Sequence, residues 1–323
     1  MKKYMHTIQD KIAVLIICHK NPEQVKRLLG AMNHPQIDFY LHLDKKMEIS
    51  EEQLKLLKQK GRICSKRISC YLADWSLCEA ELLLLTEAQK IGYRYYILLS
   101  GQDYPIKPVR DFVSLLYKTY PKPYIHTIRQ TDGNWVKAAF SHTRTYCYSK
   151  EIVRRIYRIA SSIGINKVRG LNRLLGIVDS VSTFWGPSVY EDLRKHAAVE
   201  VYGGSQWWAL PDIAVNELLN DIVAHPNVVK WLRCSIAPDE TFFQTMVMRT
   251  SVANLVDVNR DPVQGEMTYA NFVSPRNKVK NCHPYIITEE DWYWLKERPE
   301  YFARKFDVDI STKILDVLDR EIQ

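Results

Sequence analysis

The sequence predicts an α/β fold in which a mixed, mainly parallel central sheet is flanked by helices. Residues 12–18 (IAVLIIC) form a continuous apolar, β-branched run, which is typical of a strand buried on both faces, as in parallel sheets. Similar short apolar runs alternate with longer helical patterns up to about residue 110. That alternation is the pattern of strand–helix units built around a parallel sheet.

The elements of this first part follow one another with clear boundaries. After the first strand, strands are predicted at 39–43 and 95–99, with a short one at 70–72, and helices at 21–32, 51–59 and 76–91. Polar residues stand just past three strands, namely His19, Asp44 and Asp103. Because ligands collect beyond the carboxyl ends of strands in such sheets, we expect these three side chains to converge.

Two adjacent carboxylates mark the second half of the chain, where the pattern is less regular. Pro238 fits the start of a helix, which places Asp239 and Glu240 in its first turn. Phe242 and Phe243 follow in a predicted buried helical turn. Two interpretations stay open from these residues alone, because acidic first turns are common: ordinary helix capping, or a carboxylate that takes part in catalysis.

The composition is that of a globular protein with a sizeable core. Of the 323 residues, 46% are hydrophobic, which is enough for one large domain or two merged ones. No apolar run approaches the roughly 20 residues that span a bilayer, and the first residues lack the apolar segment of a signal peptide. Seven scattered cysteines without a Cys-x-x-Cys pair favour free thiols in a reducing compartment. We therefore expect a cytoplasmic protein.

The charge balance is basic, with a net charge of +8 and a pI near 9.0, which suggests an anionic partner. The stretch 144–173 concentrates this charge, since it carries eight Lys and Arg residues against the single acid Glu151. It is either a solvated helix face or a surface for an anionic acceptor or an acidic membrane. Nucleic acid is not expected as a partner, because no recognisable binding motif accompanies the basic residues.

Residues 202–210 (YGGSQWWAL) combine a glycine pair with a heavy aromatic load. Adjacent tryptophans can be core residues, but aromatic faces beside small polar groups also hold sugar rings. We therefore consider Gln206, Trp207 and Trp208, together with the distant Trp135, as candidates to contact a sugar acceptor.

Several common catalytic motifs are absent from the sequence. It has no Walker-type phosphate loop, no Gly-x-Gly-x-x-Gly after the first strand, no Gly-x-Ser-x-Gly and no His/Cys cluster with metal-ligand spacing. The Asp-x-Asp triplet at 307–309 lies near the C-terminus and is predicted to be structural. Just before it, Arg304 and Lys305 could neutralise the charge of a diphosphate leaving group without a metal. The alternative for Lys305 is an ordinary lysine leading to a C-terminal helix.

Seven segments, taken in order, resemble the core-2/I-branching β-1,6-N-acetylglucosaminyltransferase family, which also includes the peptide O-xylosyltransferases. They are 17–20 (ICHK), 41–46 (LHLDKK), 73–76 (ADWS), 98–106 (LLSGQDYPI), 203–208 (GGSQWW), 238–240 (PDE) and 302–307 (FARKFD). Each segment is short, and it is their joint order, from about residue 12 to 310, that makes the resemblance specific.

The resemblance implies a GT-A-type fold in a single glycosyltransferase domain, 1–323, with a nucleotide-binding half at about 12–110 and an acceptor and catalytic half at about 111–323. It implies a nucleotide-sugar donor, inversion at the anomeric carbon and no metal or other cofactor. The residues to which it assigns roles are Glu240 as catalytic base, Lys305 with Arg304 at the diphosphate, and His19, Asp44, Trp75 and Asp103 around the donor.

The family also uses an arginine upstream of Lys305, and Cys282 stands there in this chain. This departure leaves the second diphosphate contact open, and the replacement comes either from elsewhere or from one of the nearby basic residues Arg276, Lys278, Lys280 and His283.

The expected reaction is transfer of a sugar to a hydroxyl of a glycan acceptor, with GlcNAc from UDP-GlcNAc in a β-1,6 linkage as the first choice. The alternatives are a UDP-xylose-dependent xylosyltransferase and a non-catalytic glycan- or polyanion-binding protein. The sequence carries no counterpart of the membrane anchor of Golgi members. Together with the basic stretch 144–173, this suggests a lipid-linked acceptor and peripheral contact with the inner face of a membrane.

Overall fold

The computed structural model describes residues 9–72, 74–129, 199–233, 237–258, 266–272 and 284–322, and the fold is that of this part of the chain. Its strands are β1 (Gln9–Cys18), β2 (Ile37–Leu43), β3 (Arg62–Ile63), β4 (Tyr93–Ser100), β5 (Asp103–Pro105), β6 (Tyr124–Ile125), β7 (Ile128–Arg129), β8 (Tyr202–Gly203), β9 (Trp208–Pro211), β10 (Thr268–Ala270) and β11 (Phe302–Arg304).

Helices lie between and after these strands. They are α1 (Pro22–Ala31), α2 (Glu51–Lys60), α3 (Trp75–Gln89), α4 (Val109–Thr119), α5 (Asp212–Ala224), α6 (Pro226–Leu232), α7 (Phe242–Val247), α8 (Trp292–Leu295) and α9 (Thr312–Glu321). A 3-10 turn, Pro238–Glu240, comes directly before α7, and further 3-10 turns lie at Ala253–Leu255 and Glu289–Asp291.

The central sheet has the strand order β3-β2-β1-β4-β9-β6. Its first four strands are parallel, and β9 and β6 add antiparallel pairs at the other edge. The predicted mixed, mainly parallel sheet flanked by helices is therefore confirmed. A second sheet, β10-β11-β5, lies beyond the carboxyl end of β4, because β5 starts three residues after β4 ends.

Both faces of β1 are buried, as the apolar run predicts. Ala13, Leu15 and Ile17 face a core formed with α3, α5 and α7, while Ile12 and its alternate neighbours face a second core formed with α1, α4 and α9. A strand covered on both faces needs apolar residues at every position, which is why β1 does not alternate.

The two halves expected at about 12–110 and 111–323 share their sheets. Strands β9 and β6 of the later half extend the sheet that β1 to β4 begin, and β11 pairs with β5. The short strand expected at 70–72 is not formed. Instead, the backbone N–H groups of Cys70 and Tyr71 donate to the side chains of Asp44 and Ser76, at 3.0 Å each, so they are not available to a sheet ladder.

Candidate active site

His19 and Asp44 lie side by side, because the last residues of the parallel strands β1 and β2 are in register. Asp44 is almost fully buried, with 1% of its surface exposed. Its carboxylate accepts hydrogen bonds from the backbone N–H of Lys46 at 2.8 Å and of Cys70 at 3.0 Å, which fixes it in place. His19 is exposed. Partial desolvation and the positive charges of nearby Lys20, Arg304 and Lys305 lower its pKa, although Asp44 opposes them.

Asp103 pairs with Arg304 across the second sheet. The two residues are opposite each other in the antiparallel β5–β11 register, and Arg304 Nε lies 3.3 Å from Asp103 Oδ1. Asp103 is fully buried and also accepts a hydrogen bond from the backbone N–H of Ser100 at 2.8 Å. Burial raises the pKa of Asp103 to about 6, against the opposing effects of Arg304 and that N–H group.

The Arg304 guanidinium stacks on the ring of Trp207, with 3.8 Å between Cζ and the ring centroid. Arg304 is only 9% exposed and Trp207 only 7%. A cation over an indole face is a favourable contact, more so when it is desolvated. Arg304 therefore lies between Asp103 and the face of Trp207, and its predicted contact with a diphosphate stays a prediction.

Lys305 is the neighbouring cation whose charge stays available. It is partly exposed, and no hydrogen bond or ion pair involves its ammonium group in the part of the chain that the structure describes. Burial and the charges of Arg304 and Lys20 lower its pKa, while Asp103 opposes this. Lys20 by contrast is held by Asp307, at 2.8 Å from Nζ to Oδ2. Lys305 is thus suited to receive an anionic ligand.

Glu240 closes the 3-10 turn Pro238–Glu240, which Ala237 enters in a left-handed conformation (φ 47°). Its side chain is partly buried and has neither a hydrogen bond nor an ion pair among the described residues. Burial, helped by the charge of Asp239, raises the pKa of Glu240 to about 7. A free carboxylate with a pKa near neutrality has the property that a general base requires.

Aromatic packing supports the helix that follows the Glu240 turn. Phe242 meets Trp75 edge-on, with 5.0 Å between ring centroids, and Phe243 packs on Trp208 at the same distance. Trp75 is 6% exposed and Trp208 is 1% exposed. The structure therefore places Trp208 in the core, and not at a surface that an acceptor sugar could reach. Trp75 supports the Glu240 turn through Phe242, and its predicted contact with the donor stays a prediction.

One short segment, residues 203–207, connects the acidic and the basic parts of the site. The backbone N–H of Gly204 donates to the carbonyl of Glu240 at 2.9 Å, and three residues later Trp207 lies against Arg304. Gly204 has no room for a side chain, because a Cβ there would lie 1.8 Å from the carbonyl oxygen of His126. Gly204, the second glycine of the pair in the sequence, thus permits a close approach of two backbones.

The structure adds one residue that the sequence analysis did not select. Glu81 on α3 is fully buried and accepts a hydrogen bond from Gln206 Nε2 at 2.7 Å. The helical pattern offered a signal for it, since Cys78, Glu81, Leu85 and Ala88 lie at helical spacing and all are buried. An acid on the apolar face of a helix is unusual enough to be noted from sequence.

The predicted residues Trp135 and the basic stretch 144–173 lie outside the described residues, as do Cys282 and the four candidates to replace the family arginine. Within the described ranges, no group of three or more His, Cys, Asp or Glu residues is placed to hold a metal ion. The helices of the described part are all too short or too polar to cross a bilayer.

Residues 12–296 match the family model described as Core-2/I-Branching enzyme. The chain is 24% identical over 323 residues to human Xylosyltransferase 2, an alignment that covers 96% of this chain and 33% of that protein.

It is also 23% identical over 331 residues to the Danio rerio Beta-1,3-galactosyl-O-glycosyl-glycoprotein beta-1,6-N-acetylglucosaminyltransferase 4, covering 97% of this chain and 69% of the relative. Among solved structures, the apo form of mouse Xyloside xylosyltransferase 1 aligns with 74% of this chain and 82% of its own, at 10% identity and a TM-score of 0.29. The chain spans about a third of the length of the xylosyltransferases that it matches.

Proposed function

Since the chain belongs to the Core-2/I-branching enzyme family, we propose that it is a glycosyltransferase that moves a sugar from a UDP-sugar to a hydroxyl of a glycan acceptor. The observation that carries this proposal is that the site holds two charged groups, Glu240 and Lys305, without ion-pair partners among the described residues. Glu240 is a carboxylate with a pKa of about 7, and Lys305 is an ammonium group. The segment 203–207 contacts both regions.

The proposed reaction is a single displacement with inversion. The Glu240 carboxylate removes the proton from an acceptor hydroxyl, and that oxygen attacks C1 of the donor sugar from the face opposite the diphosphate. The C1–O bond to UDP breaks, and the electron pair leaves with the diphosphate. General-base assistance of this kind contributes roughly 10²- to 10⁴-fold to the rate.

Lys305 stabilises the charge that grows on the leaving diphosphate. Its unpaired ammonium group lies in the region whose positive charges act on His19, just beyond the ends of β1 and β2. Removing one such charged donor typically costs about 10²- to 10³-fold in rate. His19 and Asp44 would then border the nucleotide, and the buried pair Asp103–Arg304 would keep the Lys305 backbone in position. This arrangement uses cationic side chains, so we propose that no divalent metal takes part.

The first-choice donor is UDP-GlcNAc with formation of a β-1,6 linkage, and the alternative is UDP-xylose. The names of the relatives include both a β-1,6-N-acetylglucosaminyltransferase and xylosyltransferases, so each donor has a specific observation in its favour. A second alternative is a glycan- or polyanion-binding protein without catalysis, and the unpaired, high-pKa Glu240 argues against it.

A lipid-linked acceptor and a peripheral location at the inner face of a membrane stay predictions that rest on the stretch 144–173. Reversing the charges of Arg154, Arg155 and Arg158 should release the protein from anionic vesicles if this stretch binds a membrane. Unchanged binding to the vesicles would contradict that role.

The experiment that tests the function is hydrolysis of a panel of UDP-sugars in the presence of EDTA, followed as release of UDP. We expect slow release from one donor by the wild type, and a fall of at least about 100-fold in both Glu240→Gln and Lys305→Ala. The matched controls are Glu51→Gln and Lys313→Ala, which change exposed charges on α2 and α9. Absence of UDP binding, or equal rates in all variants, would refute the proposal. UDP binding without turnover of any donor, with or without glycan acceptors, would favour the binding protein.

A further inference from the structure

Glu81 is a carboxyl group in an environment that does not favour a charge. It is fully buried on the inner face of α3. Its Oε1 accepts one hydrogen bond, from Gln206 Nε2 at 2.7 Å, and its Oε2 has no hydrogen-bond partner among the described residues. No cation forms an ion pair with it in the described part of the chain. Burial, followed by the charge of Asp239, raises the pKa of Glu81 well above its ordinary value, although the hydrogen bond from Gln206 opposes this.

This buried acid lies beside the candidate catalytic turn. Helix α3 packs against the 3-10 turn Pro238–Glu240, and the charge of Asp239 raises the pKa of both Glu81 and Glu240. Its partner Gln206 belongs to the segment whose Gly204 is hydrogen-bonded to the Glu240 backbone. The preceding residue, Ser205, is held through its carbonyl by Gln244 Nε2 at 2.6 Å, so the backbone before Gln206 is fixed on both sides.

A glutamine amide has a donor end and an acceptor end, and Glu81 occupies the donor end of Gln206. With Nε2 directed into the core, the amide oxygen is the end left for a ligand, and no hydrogen bond to it occurs in the described residues. Gln206 itself is only partly buried, so a ligand can reach it. Packing alone does not explain why a glutamate stands at position 81, since an apolar residue there would fill the same space without desolvating a carboxyl group.

We propose, on the basis of the function proposed above, that Glu81 is a positioning residue that fixes the Gln206 amide with its oxygen toward the acceptor. Gln206 Oε1 then accepts a hydrogen bond from an acceptor hydroxyl close to the one that Glu240 deprotonates. Holding the acceptor at two points aligns the attacking oxygen, and alignment of reacting groups is a large part of enzymatic rate enhancement.

The test is a double-mutant cycle between Glu81→Leu and Gln206→Ala, with Glu81→Gln as the conservative variant. The acceptor is whichever p-nitrophenyl glycoside of a panel the wild type glycosylates. We expect Glu81→Leu to raise the acceptor KM about tenfold, the effect of one hydrogen bond, with little change in UDP release from donor hydrolysis. Glu81→Gln keeps an oxygen that accepts from Gln206 and should restore the wild-type KM. Glu81→Leu should add nothing in the Gln206→Ala background, because the residue acts through Gln206.

Additive effects of the two substitutions, or a parallel loss of acceptor use and donor hydrolysis, would overturn the positioning role. Glu79→Leu, on the outer face of the same helix, is the control and should leave the acceptor KM unchanged.

The Gln206 side-chain NH₂ signals in ¹⁵N-labelled protein give an independent measurement. They should be protected from exchange in the wild type and in Glu81→Gln, and unprotected in Glu81→Leu. A wild type that neither releases UDP from any donor nor transfers a sugar counts against the proposed function, and the NH₂ signals still decide whether Glu81 holds Gln206. Unprotected signals in the wild type would overturn the inference.

Discussion

The pKa of Glu240 predicts a specific dependence of the reaction on pH. The group titrates at about 7, compared with 4.5 for an ordinary glutamate, chiefly because it is buried and secondly because of Asp239. A base is active only when ionised, so about nine tenths of the protein is competent at pH 8 and about one tenth at pH 6. We therefore expect kcat/KM to fall about tenfold from pH 8 to pH 6, with its half-point near pH 7.

The assay is transfer or donor hydrolysis over this range, measured as kcat/KM because that quantity reports the free enzyme. Asp239→Asn removes the neighbouring negative charge and should move the half-point to lower pH, but not down to 4.5, since burial is the larger cause. Glu240→Gln should lose the pH dependence together with the activity. A half-point near 4.5 in the wild type, or an unchanged profile in Glu240→Gln, would refute the assignment of Glu240 as base.

The raised pKa of Glu240 also makes the free energy of unfolding depend on pH. Because the pKa is higher in the folded state than in the unfolded one, the contribution of Glu240 to stability is fully present below pH 4.5 and is lost as the pH rises through 7. At about 1.4 kcal/mol for each pH unit, the ionised group costs on the order of 3 kcal/mol at pH 8. Glu240→Gln should therefore be inactive and yet more stable than the wild type at pH 8, which separates loss of chemistry from loss of fold. Chemical denaturation at pH 5 and pH 8 measures this, and equal changes at both values would contradict it.

Three further predictions follow from other parts of the site. Gly204→Ala should greatly lower the melting temperature, because its Cβ would lie 1.8 Å from the carbonyl oxygen of His126. Gly30→Ala is the control: no described atom lies within 4 Å of its Cβ, so it should be neutral or stabilise α1 by up to about 1 kcal/mol. Similar melting temperatures for the two variants would contradict the close approach at Gly204. Asp103→Asn should lower the free energy of unfolding by about 3 kcal/mol, since it leaves the buried Arg304 guanidinium without its partner. Glu87→Gln, at an exposed ion pair, is the control and should change the free energy of unfolding by less than about 0.5 kcal/mol. A similarly small effect of Asp103→Asn in urea titration would show that the Asp103–Arg304 pair is dispensable. Excess EDTA should leave the transfer rate unchanged, and recovery of a lost rate on adding Mg²⁺ or Mn²⁺ would disprove the metal-free mechanism.

The sequence could predict those parts of the fold that depend on local pattern. The uninterrupted apolar run of β1 correctly indicated a strand covered on both faces. Of the three side chains expected to converge beyond the strand ends, which included Asp103, His19 and Asp44 lie next to each other after two parallel strands. It could not predict that β9 and β6 join the same sheet in the opposite direction, because those strands are short and pair with residues more than 80 positions away.

The tryptophans of residues 202–210 show the same limit at the level of single side chains. Their sequence marked an aromatic segment, but an aromatic ring serves equally well in a core or under a sugar. The structure places Trp208 against Phe243 and Trp207 against Arg304, contacts that depend on which elements pack around the segment. Helical spacing alone indicates that Glu81 is buried. Its partner Gln206 is 125 residues away, and no pattern within α3 specifies that contact.

Local patterns along the chain are enough to predict the parallel core, the elements of the first part and the order of motifs that places the chain in its family, because strand burial, helix signals and motif order depend on neighbouring residues. Which charges are paired is a property of the tertiary structure. Asp103 and Trp207 engage the Arg304 guanidinium, whereas the charged groups of Lys305, the next residue, and of Glu240 have no ion-pair partner among the described residues. Pairing and desolvation depend on distances between segments that are far apart in sequence. These two factors set the pKa and the availability of a charged group, and so they suit Glu240 to act as a base and Lys305 to bind a phosphate.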